Sequence, residues 1–173
     1  MFISHTDTVH ELVDEIIVEE EYLVRPYTFG KDFGSEQVLC LKAYKKNGKP
    51  TGIGGDDKCG IYICLELLSQ LDKVKVAFFV SEETGCHGSS KADEQFFSNV
   101  GYGIQFDAPE NWMITERCFG QDLFDRNTDF FKSCDEVLKN NMNKKDMEYM
   151  NHPYTDVYAL RTKFDFSCLN YSI

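Results

Sequence analysis

Five places in the sequence hold residue types that can do chemistry: His5, Asp7, the pair Asp56-Asp57 behind Gly54-Gly55, the pair Glu82-Glu83, and Asp107. One imidazole and several carboxylates are a ligand set for zinc, cobalt or manganese. Each reads plainly when taken alone. Asp56 would cap a helix, where its charge meets the positive end of the helix dipole. Glu82-Glu83 would be a solvated loop pair, His5 a structural imidazole, and Asp107 the opening of a turn before Ala108-Pro109. Together they concentrate negative charge that a folded chain must disperse or neutralise, and a divalent cation neutralises it best.

The elements that must position these residues alternate between strand and helix. Met1 to Ser4 is shaped like the end of a strand, and Gln37 to Tyr44 reads as a strand closed by the Asn47-Gly48 turn signal. From Lys58 to Leu71, Ile61, Cys64, Leu65, Leu68 and Leu71 recur at helical spacing and predict a helix with a wide apolar face. Val74 to Ser81 is a largely apolar run suited to a strand buried on both faces. Ser90 to Asp93 has the spacing of a helix-start cap, with Ala92, Phe96, Phe97 and Val100 following on one side. Strands are predicted at Tyr102 to Phe106 and Phe166 to Ile173, helices at Phe130 to Asn140 and Thr155 to Thr162, and a polar loop at Asn140 to Asp146. This alternation predicts an α/β fold over 1–173, a single domain with a mixed, mainly parallel sheet and helices on both faces. His5-x-Asp7, Glu82-Glu83 and Asp107 then fall after strands. The loops at the carboxyl ends of the strands build the site in open α/β sheets.

Three stretches carry a resemblance. Ser4-His5-Thr6-Asp7-Thr8-Val9, Gly54-Gly55-Asp56-Asp57-Lys58-Cys59-Gly60 and Val80-Ser81-Glu82-Glu83-Thr84-Gly85-Cys86-His87-Gly88-Ser89 follow in that order. They resemble the metal motifs of the co-catalytic zinc exopeptidases, the group that includes peptidase T, carboxypeptidase G and related aminopeptidases, with the peptidase T branch the nearest likeness. The likeness covers about residues 1 to 110, with a fainter echo in Tyr154-Thr155-Asp156.

The resemblance implies a two-ion zinc site, with cobalt or manganese as alternatives, and the hydrolysis of short peptides. His5 would bind the first ion, Asp56 would bridge both, Glu83 would bind the second and Asp107 the first. Asp7 would orient His5 through its other ring nitrogen. Glu82 would be the general base that takes a proton from the attacking water. Aminopeptidase, carboxypeptidase and deacylase chemistry all occur in the group. The family's lid domain has no counterpart between Asp107 and His152, and no histidine follows the last predicted strand, which ends in Asn170-Tyr171-Ser172-Ile173. The chain therefore reads as the catalytic layer clipped at both ends, with a second ion held loosely and His152 the first suspect for a substitute ligand. The competing expectation is a relic of that fold that serves as a metal-binding or regulatory module. His10 and His87 are expected to be solvated or structural.

Composition limits the partners. Lys and Arg number 18 against 29 Asp and Glu, a formal charge of −11, which disfavours nucleic acid and anionic membranes, both of which select clustered positive charge. No apolar run is long enough to span a bilayer and the first residues do not form a signal peptide. The 7 cysteines are scattered and never paired as C-x-x-C, so they read as reduced core thiols of a cytoplasmic protein. A short peptide is the expected substrate.

Overall fold

The computed structural model describes residues 1–10, 13–29, 32–108, 113–141, 148–152 and 154–172. Where the sequence suggests one domain, the chain divides into two compact units: Met1–Thr8 with Asp56–Ile173, and Val9–Gly55.

The larger unit opens with β1 (Phe2–His5). The smaller unit supplies β2 (Ile16–Phe29), β3 (Asp32–Lys45) and β4 (Pro50–Thr51). The chain continues through helix α1 (Gly55–Gln70), β5 (Val76–Phe79), the one-turn helices α2 (His87–Ser90) and α3 (Glu94–Phe97), β6 (Tyr102–Ala108), β7 (Met113–Cys118) and β8 (Gln121–Asp122). Helix α4 (Asp129–Asn141), β9 (Glu148–His152), α5 (Asp156–Phe164) and β10 (Ser167–Ser172) complete it.

The larger unit is built on a seven-stranded sheet in the order β5-β1-β6-β10-β7-β8, with β9 also on β7. Pairs β1–β5, β1–β6, β6–β10 and β7–β9 are parallel, while β10–β7 and β7–β8 are antiparallel. The expected mixed, mainly parallel α/β sheet is present. The chain goes from β1 to β5 on one side, then to β6 on the other, so β1 lies at a topological switch point. Ligands bind outside the carboxyl ends of the strands at such a point. Register places His5 beside Phe79 and Ile3 beside Gln105.

The core gathers Ile3, Phe79, Phe97, Ile114, Leu123, Phe131, Leu160 and Leu169, all buried. Phe97 stacks on Phe164 with centroids 5.1 Å apart and an interplanar angle of 10°. These rings anchor the last helix and α3 to the sheet.

Three expectations need correction here. Val74 to Ser81 is not buried on both faces: Ala77 and Phe79 are covered, whereas Phe78 and Val80 are 40% and 59% exposed. Nor is the apolar face of α1 a core face throughout, for Cys64 is buried but Leu65, Leu68 and Leu71 are each nearly half exposed. The helix start near Ser90 also lies elsewhere. Asp93 is the cap, accepting the Phe96 N–H at 2.6 Å, and the helix it opens is one turn long. Most of the predicted loop at Asn140 to Asp146 lies outside the described residues.

The smaller unit is a long antiparallel hairpin of β2 and β3 with β4 added at its edge. The predicted strand at Gln37 to Tyr44 is the second half of β3. Its partner β2, and the strands β7, β8 and β9, are not anticipated from the sequence. Gly48, at φ +77°, makes the turn between β3 and β4, a conformation that glycine adopts without steric cost.

Candidate metal centre

His5 ends β1, Asp107 lies near the end of β6, and Glu82 follows β5 by three residues. Because β5, β1 and β6 are adjacent and parallel, their carboxyl ends bring these side chains to one place. The register pairing Ile3 with Gln105, continued by two residues, sets Asp107 beside His5.

His5 is 1% exposed, and both its ring nitrogens are engaged. Nε2 lies 3.1 Å from Asp56 Oδ1 and 3.6 Å from Asp107 Oδ1. Nδ1 lies 3.1 Å from the main-chain oxygen of Asp7. A carbonyl only accepts, so Nδ1 carries a proton and Nε2 faces the carboxylates. That is the orientation a metal-binding histidine takes.

Asp7 does hold the second ring nitrogen, but by its carbonyl; its nearest carboxylate oxygen is 3.6 Å from Nδ1. The carboxylate has a different task. Asp7 Oδ1 accepts the N–H of Glu82 at 3.1 Å and Oδ2 that of Glu83 at 3.2 Å. The acidic pair is thereby fixed by its backbone, and Glu82 Oε1 also accepts the Cys86 thiol at 3.6 Å.

Local sequence explains the two remaining loops. At Asp56 and Asp57 the backbone is not helical, with ψ of 109° and 41°, and the peptide between them is cis. Asp57, 3% exposed, turns inward and accepts the Gly60 N–H at 2.9 Å, so it is the capping residue. Asp56 stays 62% exposed and faces His5. A Cβ on Gly60 would lie 2.2 Å from the Asp57 carboxylate, so any side chain there would displace the capping carboxylate. After Glu82 the chain folds back at once, with the N–H groups of His87 and Gly88 donating to the oxygens of Ser81 and Val80 at 3.1 Å each. A Cβ on Gly88 would stand 2.6 Å from Val80 O. The glycines of both motifs are thus close-approach positions.

Among the described residues, two sets of ligand atoms lie within 4.8 Å of one another: His5, Asp56 and Asp107; and His5, Glu82 and Glu83. All five residues expected to bind a metal or act as base, His5, Asp56, Glu82, Glu83 and Asp107, are in these sets. His87 and His152 are in neither, and His87 is exposed.

Crowding like charges out of water raises their proton affinity. Glu82 is pushed up to about 8, by burial first and then by Asp107. Asp107 rises to about 7 through burial, although its bond to His5 works the other way. Burial alone would lower His5, but Asp107 and the other carboxylates around it carry it up to about 10. A cation would relieve the same repulsion that these protons relieve.

Three further residues of this neighbourhood carry no local sequence motif of a site residue beyond a faint echo. Gln105 and Thr155 are fully buried and bonded to each other, Thr155 Oγ1 to Gln105 Oε1 at 3.2 Å. Asp156, of the Tyr154-Thr155-Asp156 echo, is fully buried at the start of α5, and among the described residues neither carboxylate oxygen has a hydrogen-bond partner. The Ser89 hydroxyl donates to Cys86 O at 3.2 Å, and its presence beside Asp156 favours the ionised carboxylate. Burial pushes Asp156 up to about 7, against the effects of Ser89 and His5.

The 7 cysteines are all free thiols, four of them buried. Among the described residues, no helix is long and apolar enough to cross a membrane. Comparison of the chain with protein-family models, with curated proteins and with solved structures finds no match to any of them.

Proposed function

We propose that the chain is a metal-dependent hydrolase of the co-catalytic exopeptidase type, acting on short peptides. The observation that carries this reading is the environment of His5. Its Nε2 faces Asp56 and Asp107, its Nδ1 is committed to the Asp7 carbonyl, and the Glu82-Glu83 pair is held beside it.

The donor set suits zinc, and equally cobalt or manganese: one imidazole with several carboxylate oxygens. His5, Asp56 and Asp107 would hold one ion, and Asp56 with Glu83 a second. Bound there, such ions acidify water and polarise a carbonyl oxygen.

The chain's own residues supply the rest. Asp7 fixes the backbone of Glu82 and Glu83, so two adjacent carboxylates can take different tasks. Glu82 serves as the general base, accepting a proton from the attacking water and passing it to the leaving amine. Its proton affinity, raised by burial, lies near neutrality, where a base that must also become an acid works best. The carboxylate-rich surroundings favour a substrate with a free, positively charged N-terminus.

The test is hydrolysis of unblocked tripeptides by the purified chain with added zinc or cobalt. Activity that a chelator removes, that Glu82→Gln abolishes and that blocked N-termini escape supports the reading. A chain that binds neither ion, by metal analysis after dialysis, overturns it.

A further inference from the structure

Asp107 has two oxygens, and only one faces His5. The other, Oδ2, accepts a hydrogen bond from Gln105 Nε2 at 2.9 Å. Gln105 lies two residues earlier on β6, on the same face of the strand. Its Oε1 accepts two further bonds, from Thr155 Oγ1 at 3.2 Å and from the Val157 N–H at 3.2 Å. These contacts fix the orientation of the amide. The Val157 N–H can only donate, so oxygen must face it and the NH2 must face Asp107. The Asp107 main chain is held as well, its N–H donating to Asn170 Oδ1 at 2.9 Å from the neighbouring strand. Gln105, Thr155 and Asn170 are all completely buried.

We infer that Gln105 is a positioning residue of the metal centre: set by Thr155 and Val157 at the start of α5, its amide holds Oδ2 of Asp107 and so directs Oδ1 at the ion beside His5. The inference rests on the metal-binding reading above. Three features support it. A buried amide with one donor and two acceptor contacts committed has a single orientation. An NH2 donor against Oδ2 keeps that oxygen as an unprotonated acceptor, which a ligating carboxylate has to be. Thr155 precedes α5 as its N-cap residue and Val157 lies in its first turn, so the link joins the centre to an element more than a hundred residues from His5 in sequence. Hydrogen-bonding partners of this kind change metal affinity by roughly 10–100-fold when removed.

The experiment titrates cobalt into the full chain and records its visible absorption. Wild type, Gln105→Met, Thr155→Val and Thr155→Ser are compared, and folding of each is checked by circular dichroism without metal. Gln105→Met keeps the shape and loses the amide; it should weaken cobalt binding by roughly 10–100-fold and shift the absorption bands, which report ligand geometry. Thr155→Val, which removes one of two donors to Oε1, should weaken binding less, and Thr155→Ser should restore it. If Gln105→Met does not fold, the Thr155 pair decides. Wild-type affinity and spectrum in a folded Gln105→Met overturn the inference, as does a Thr155→Ser variant no better than Thr155→Val. Failure of the wild-type chain to bind cobalt is a different result, because it overturns the metal-binding reading itself and this inference with it.

Discussion

The carboxylate of Asp7 accepts the main-chain N–H of Glu82 at 3.1 Å, across 75 residues of sequence. Its second oxygen holds the N–H of Glu83 at 3.2 Å, so the loop after β1 builds the turn after β5. Asp7→Asn would turn an NH2 toward one of these two N–H groups, and no arrangement satisfies both. The variant should lose about 1–3 kcal/mol of stability, the cost of a buried donor without a partner, and should lose it with metal absent. Urea unfolding in chelator measures this. Unchanged stability would mean that Asp7 acts only on His5.

The division of labour between Glu82 and Glu83 gives a second expectation. Glu82→Gln should abolish peptide hydrolysis while leaving metal content nearly as in the wild type. Glu83→Gln should lower metal content, since it removes a ligand rather than a base. Metal analysis of both variants after dialysis separates them. Equal losses of metal would show that the two roles are assigned wrongly.

His5, Asp7, Glu82, Glu83 and Asp107 are legible because their motifs follow apolar strands, and a strand end followed by acid stands out against its own flanks; Asp56 is legible from Gly54-Gly55 before it and the helical run after it. The partners that hold them are not. Gln105 and Thr155 are single polar residues in a strand and beside a helix, and only tertiary contacts distinguish them from surface positions. The hairpin was half legible. Gln37 to Tyr44 has the composition of a strand, but Glu19-Glu20-Glu21 interrupts the apolar pattern of β2. That strand keeps Ile17 and Val18 45% and 50% exposed, and without one buried face alternation is not enforced. Ala92, Phe96, Phe97 and Val100 suggest a longer apolar helix than the one turn at Glu94–Phe97; Phe97 is 4% exposed and Phe96 43%, so only one of the two rings faces the core.

Asp156 makes a prediction about pH. Its acid group is raised from 3.8 to about 7 by burial, so the folded chain binds a proton that the unfolded chain has already released. Linkage then makes the metal-free chain less stable as pH rises from about 4 to 7, because the folded state binds more protons there. Asp57, raised to about 6 by burial, works in the same direction. Asp156→Asn has nearly the same shape and cannot ionise. It should be more stable than wild type above pH 7, little different at pH 4, and its stability should fall less steeply between them. Thermal melts in chelator across that range test the slope. Parallel curves for the two proteins would show that Asp156 does not titrate between the folded and unfolded states.

Metal binding should release protons. Ligands bind as bases, and both Glu82 and Asp107 are raised by burial toward or above neutrality while His5 is held protonated by its carboxylates. An ion entering this cluster has to displace those protons, so zinc affinity should rise between about pH 6 and 8. The heat of titration at pH 7 should differ between buffers of different ionisation enthalpy, in proportion to the protons released. Zinc should also raise the melting temperature in a concentration-dependent way, as any ligand of the folded state does, and His5→Ala should abolish both effects. Buffer-independent heat with tight binding would place the ion on groups already ionised, away from His5, and would remove the centre described here from its role.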